Sequence, residues 1–221
     1  MEENSSSEFD WRIYAEATFA GLSVLIPIPL LDLAFEWLFR RRIPKAIAKR
    51  NGRLLDPVVV KELNRTPLSC LALLFWPVTL TLEFLKRFYR TVLYFLTIKD
   101  ATDRLSYYWH RAFLIDYMFR QGYFDEGRDP FLAVAALNRL LGETTTSPLL
   151  QLASQIIALP QHIFRTLRRL LRRQSEEDDT ILETKIVMAE NWQQYDSYWR
   201  ELSQRYESTF QALAAERNIP Y

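Results

Sequence analysis

The chain has 221 residues, 49% of them hydrophobic and 14% aromatic, with a formal net charge of +1. That length can bury a real core, and the balanced charge excludes a global field that would draw the protein to nucleic acid. Only 5 glycines and 1 cysteine occur, which argues against hairpin-rich all-β folds and excludes an internal disulfide or a cysteine-based zinc cluster. The composition predicts an all-α protein, a helical bundle whose apolar helices are broken by prolines.

Met1–Glu8 reads as a disordered polar tail. Glu2, Glu3, Glu8 and Asp10 are the opposite of a basic signal-peptide start, so the expected location is a cytoplasmic face. Thr18–Leu31 is the first of three uncharged apolar stretches. Its centre, Leu25-Ile26-Pro27-Ile28-Pro29, cannot continue one straight helix, because each proline removes a backbone donor and clashes with the preceding turn. A second helix is expected from about Leu30 to Arg42, with Pro44 opening a short basic one that stops at Asn51-Gly52. Between Arg40 and Arg53 lie seven basic residues and no acidic ones.

Asp56-Pro57 and Thr66-Pro67 are helix-start signals, a capping side chain followed by proline at the first helical position. Thr66–Leu82 carries no charge and includes Leu74, Phe75, Trp76 and Pro77; Lys86, Arg87 and Arg90 follow. Lys99–Gln121 reads as an amphipathic helix ended by Gly122, and Asp129-Pro130 starts another through Leu141. Ser147–Phe164 is the third apolar stretch and leads into basic residues up to Arg173. Thr180–Arg217 has no internal proline or glycine, and Met188, Trp192, Tyr195, Trp199, Leu202, Tyr206, Thr209 and Leu213 form a heptad seam along it. The expected organisation is a tail over 1–8, a membrane-associated helical domain over 9–173, and a C-terminal amphipathic helix over 180–221. The alternative is two domains divided near Arg173–Asp179.

The apolar stretches are 14, 17 and 18 residues long and interrupted, whereas a spanning helix needs about 20 mostly apolar residues. Re-entrant or interfacial helices fit better, with Leu25, Ile26, Pro27, Ile28, Pro29, Leu74, Phe75 and Trp76 as the expected membrane contacts. Arg40, Arg41, Arg42, Lys86, Arg87 and Arg90 are the expected contacts to anionic lipid headgroups. Nucleic acid is not expected, because the aromatics fall in apolar seams and are not interleaved with the cations. Trp192, Tyr195, Trp199, Leu202 and Tyr206 form a stripe that either binds a protein partner or packs on the chain's own helix Lys99–Gln121; packing within the chain is favoured. His110 is expected on a helix surface beside Trp109. No phosphate loop, serine elbow, metal cluster or cofactor motif occurs, so no enzyme, metal or cofactor is expected.

Within Ala15–Gly52, Gly21, Pro27-Ile28-Pro29, Asp32 and the ending Ile47-Ala48-Lys49-Arg50-Asn51-Gly52 form a pattern. It resembles a unit in bacterial EcsC-like proteins and in the membrane-associated tails of some bacterial GTPases. The resemblance implies a helical, membrane-associated protein. The function expected from these features is structural or adaptor, with a partner recruited by the C-terminal helix. The alternative is a lipid-handling or small-molecule module with an apolar pocket between its helices.

Overall fold

Local capping chemistry sets several helix ends. Asp56 accepts from the Val58 N–H at 2.7 Å ahead of Pro57, and Asp129 accepts from the Phe131 and Leu132 N–H groups ahead of Pro130. Gly52 and Gly122 have φ of 65° and 72° and close two helices in the same way. Arg53 N–H reaches back to Ala48 C=O and Tyr123 N–H to Met118 C=O, while each glycine N–H donates one turn back.

The computed structural model describes residues 9–25, 31–65, 90–143, 148–158 and 179–217. In chain order these hold α1 (Trp11–Leu22), a 3-10 turn (Ser23–Leu25), α2 (Leu31–Arg50), α3 (Pro57–Leu63), α4 (Arg90–Arg120), α5 (Pro130–Glu143) and α6 (Leu149–Ala158). Then follow α7 (Asp179–Trp192), a second 3-10 turn (Gln193–Tyr195) and α8 (Asp196–Glu216). Among the described residues every regular element is helical, as the composition predicts. The tail 1–8, the second apolar stretch and the proposed domain boundary lie outside the described residues.

α4 is the axis of the fold. It packs against α1, α2, α5, α6 and α8, and every residue from Tyr108 to Asp116 is buried. The sequence suggests a one-sided amphipathic helix there, but neighbours on all sides bury its polar positions as well. The approach of α1 is set by Gly21, because a Cβ there would lie 2.6 Å from Leu105 Cα. The pair is tied further along by Trp109, whose indole N–H donates to Thr18 Oγ1 at 3.0 Å, and by Thr18, which donates to Tyr14 C=O.

Two sequence expectations need correction. Pro44 does not start a new helix, since α2 runs through it as one element of 20 residues. An internal proline costs about 3 kcal/mol. Here Phe39 and Ile43 before it and Ile47 and Ala48 after it are all buried, and each large apolar side chain contributes about 1.5–3 kcal/mol. The long C-terminal helix is present as expected over 179–216, but its seam is not a strict heptad. A 3-10 turn separates α7 from α8, and the buried stripe continues from Tyr206 to Phe210 and Ala214, leaving Thr209 and Leu213 half-buried. A straight helix turns once in 3.6 residues, so a seam of 3.5 drifts off its face unless a supercoiled partner holds it.

The seam packs within the chain. Trp192 meets Tyr14 of α1 at 4.3 Å between ring centroids and stacks on Trp199 at 4.8 Å. Trp199 stacks in turn on Phe113 of α4 at 4.5 Å. Tyr206 donates to Ala133 C=O of α5, and Glu207 accepts from both Tyr117 and Tyr123. Trp199→Ala should therefore lower the unfolding free energy by about 3–5 kcal/mol without altering the mass seen by light scattering. Gly21→Ala should destabilise by roughly 2–3 kcal/mol through overpacking at Leu105; urea melts of both variants check these outcomes.

Candidate membrane-contact face

α2 divides its residues by chemistry. Phe39, Ile43, Pro44, Ile47 and Ala48 turn inward, while Ala34, Trp37, Arg41, Arg42, Lys45 and Lys49 are exposed. Trp37, Arg41, Lys45 and Lys49 follow one another at steps of four, which keeps them along one side of the helix. Trp37 is 58% exposed, and the Arg41 guanidinium lies 4.5 Å from its ring centroid, a cation–π arrangement that holds both side chains flat.

The cations near this face fall into two groups. Arg50 pairs with Asp10, Arg53 with Asp125, and Arg104 with Glu36 and Asp100. Among the described residues, no carboxylate lies within ion-pair distance of Arg41, Arg42, Lys45 or Lys49. Arg42 leans on the Phe39 ring and acts electrostatically on Glu16 of α1. Burial raises the Glu16 pKa, Arg42 opposes that rise, and one Glu16 carboxylate oxygen is buried without a hydrogen-bond partner.

The expected site residues separate accordingly. Arg41 and Arg42 reach solvent. Arg40 is half-buried instead, with its Nη2 donating to Arg65 C=O at 3.4 Å. Leu25 ends the first 3-10 turn half-buried. Ile26, Pro27, Ile28, Pro29, Leu74, Phe75, Trp76, Lys86 and Arg87 lie outside the described residues, and Arg90 opens α4. Trp192, Tyr195, Trp199, Leu202 and Tyr206 are all buried. Among the described residues no helix is long and apolar enough to cross a membrane.

His110 is not on a helix surface, for it is 1% exposed. Its Nδ1 faces Ser106 C=O at 2.5 Å, an atom that can only accept, so Nδ1 carries the proton and Nε2 accepts from Tyr198 O–H at 2.5 Å. Burial pulls its pKa down to about 4, against the Ser106 hydrogen bond that raises it. Tyr198 also borders a cavity of about 450 Å³, together with Pro148, Gln151, Gln194, Ser197 and Glu201. That lining is largely polar and lies beside α6 and the second 3-10 turn. Among the described residues no group of three or more His, Cys, Asp or Glu side chains could hold a metal ion.

Sequence reasoning missed Arg111, which is fully buried in α4. A signal was present, since it is the only charged residue between Leu105 and Ile115. Compared with known proteins, the chain matches no family model, no curated protein and no solved structure.

A histidine held neutral by burial contributes stability that is fully present above its unfolded pKa, near 6.5, and lost as pH falls from there toward 4. Between about pH 7.5 and about pH 5 the wild type should lose roughly 2 kcal/mol more unfolding free energy than His110→Gln, which cannot become charged. Urea midpoints at the two pH values measure the difference.

Proposed function

We propose that this protein acts at a membrane surface, with the outer face of α2 lying on anionic headgroups and Trp37 in the interfacial layer. The supporting observation is the exposed run of Trp37, Arg41, Lys45 and Lys49 beside Arg42, whose cations have no carboxylate within ion-pair distance among the described residues. Each such cation near an anionic surface contributes about 1 kcal/mol, so four contribute about 4 kcal/mol, or nearly three powers of ten in affinity. A tryptophan at the headgroup level suits an indole with an apolar body and one N–H donor. The resemblance of residues 15–52 to EcsC-like proteins and GTPase tails spans all of α2, the helix that bears this face.

The leaflet facing the cytoplasm is the anionic one in most membranes and is the surface this reading assigns. The role is structural or adaptor and involves no catalytic step. Because the apolar seam of α7 and α8 is occupied by the chain's own helices, a partner recruited there would meet the polar side bearing Gln193, Ser197, Arg200 and Gln204, all exposed.

Co-sedimentation with vesicles tests the proposal. The protein should pellet with phosphatidylserine-containing vesicles and not with pure phosphatidylcholine, and high salt should release it as the Debye length shrinks. Arg41→Glu combined with Lys45→Glu should weaken binding by at least about tenfold. Equal binding to both vesicle types, or a double variant that binds like the wild type, would overturn it.

A further inference from the structure

Two hydrogen-bond chains run from backbone carbonyls to the cavity that Tyr198 borders. One starts at Ser106 C=O, which takes the Nδ1 proton of His110, so that Nε2 accepts the phenol proton of Tyr198. Burial, and after it the charge of Arg205, oppose protonation of this imidazole, which preserves the direction of the chain at neutral pH. A phenol has one proton to give, and this one goes inward. Toward any further group Tyr198 Oη can only accept. The second chain starts at Val187 C=O, which accepts from Asn191 Nδ2 at 2.8 Å. That makes the other end of the amide, Oδ1, the acceptor, and Gln194 Nε2 donates to it at 3.2 Å. Gln194 also lines the cavity. Its nitrogen is engaged by Asn191, and its carbonyl oxygen is the end it has to offer.

Both chains therefore hand the cavity acceptors. Glu201, on the α8 side, adds a carboxylate, which accepts only and brings a whole negative charge. Ser197 and Gln151 can give or accept and suit either kind of ligand. One effect opposes a cation. α6 begins at Leu149, next to Pro148 on the cavity edge, and a helix N-terminus presents about half an elementary positive charge. The full charge of Glu201 outweighs it.

We propose that this cavity binds a small primary alkylammonium ion from solution, with Tyr198 Oη, Gln194 Oε1 and the Glu201 carboxylate taking its three N–H donors. A primary ammonium has three donors and no acceptor, the inverse of what these side chains present. A carboxylate ligand would set lone pair against lone pair, and a quaternary ammonium has no proton to give. At about 450 Å³ the cavity has room for an alkyl portion as well, against Pro148 and the Tyr195 ring. The lining belongs to α6, the second 3-10 turn and α8. None of these carries the cationic run of α2, so the site does not depend on the membrane reading.

Chemical-shift titration of the isotope-labelled protein tests the site, with n-butylammonium chloride as the probe and sodium chloride holding the ionic strength constant. The backbone amides of Ser197, Tyr198 and Glu201 should shift saturably, with a Kd on the order of a millimolar. Tetramethylammonium has the charge without an N–H donor, and n-butanol has the chain without the charge. Each should bind at least about tenfold more weakly. Glu201 is exposed, so Glu201→Gln keeps the fold and the side-chain shape, and it should weaken butylammonium by at least about tenfold. Tyr198→Phe should weaken it by roughly three- to tenfold. Because that change also removes the partner of His110 Nε2, Glu201→Gln decides where Tyr198→Phe fails to fold. Tetramethylammonium binding as tightly as butylammonium overturns the site. So does an undiminished response in Glu201→Gln or in folded Tyr198→Phe, and so does a wild type without saturable shifts.

Discussion

The stack of Tyr14, Trp192, Trp199 and Phe113 is the contact on which the rest of the architecture depends. It joins α1, the end of α7, the start of α8 and the centre of α4 through successive ring contacts of 4.3, 4.8 and 4.5 Å. Its strength outweighs a real penalty. The indole N–H groups of Trp192 and Trp199 are both buried without a partner, and each unsatisfied donor costs about 1–3 kcal/mol. Two large aromatics removed from water, each worth about 3 kcal/mol, plus about 1 kcal/mol for each ring pair, offset that loss. The stack therefore fixes where the C-terminal helix lies even though its polar atoms are imperfectly served.

Around this stack, α4 can be enclosed on every side only because its polar side chains are matched one by one. Trp109 finds Thr18, Tyr108 finds Glu36, Asp116 accepts from Asn51 and pairs with Arg120, and His110 sits between Ser106 and Tyr198. Tyr117 and Tyr123 share Glu207, and burial with that carboxylate raises both phenol pKa values. A buried polar group with its partner in place specifies one arrangement, because any slip of the helix leaves it unsatisfied. Arg111 is served differently, donating through Nη2 to Leu63 C=O and Asn64 Oδ1 at the end of α3.

The arginines and lysines of α2 show how burial sorts a run of like charge. Arg50 at its end finds a carboxylate from another segment, Arg40 turns inward to a carbonyl, and Arg41, Arg42, Lys45 and Lys49 stay in water. Residues so close in sequence differ only in their angle around the helix axis, roughly 100° per residue. Neighbouring arginines in one cluster can therefore take unrelated parts, as Arg40 on the Arg65 carbonyl and solvent-exposed Arg41 do.

Length, glycine scarcity and capping signals were enough, from the sequence alone, to settle that this chain is helical and where several of its helices begin and end. Those are local matters, decided within a few residues by backbone donors, proline rings and a glycine at positive φ. Seam positions such as Trp199 and Tyr206 were legible because a helical period is also local. Which groups would cover them was not, and neither were the passage of α2 through Pro44, the drift of the stripe to Phe210 and Ala214, or the enclosure of His110 and Arg111. Each of those depends on a neighbour far along the chain whose packing energy exceeds a local preference of about 1–3 kcal/mol. Only the assembled helices decide whether an arginine in a cluster meets solvent, a carbonyl or a carboxylate.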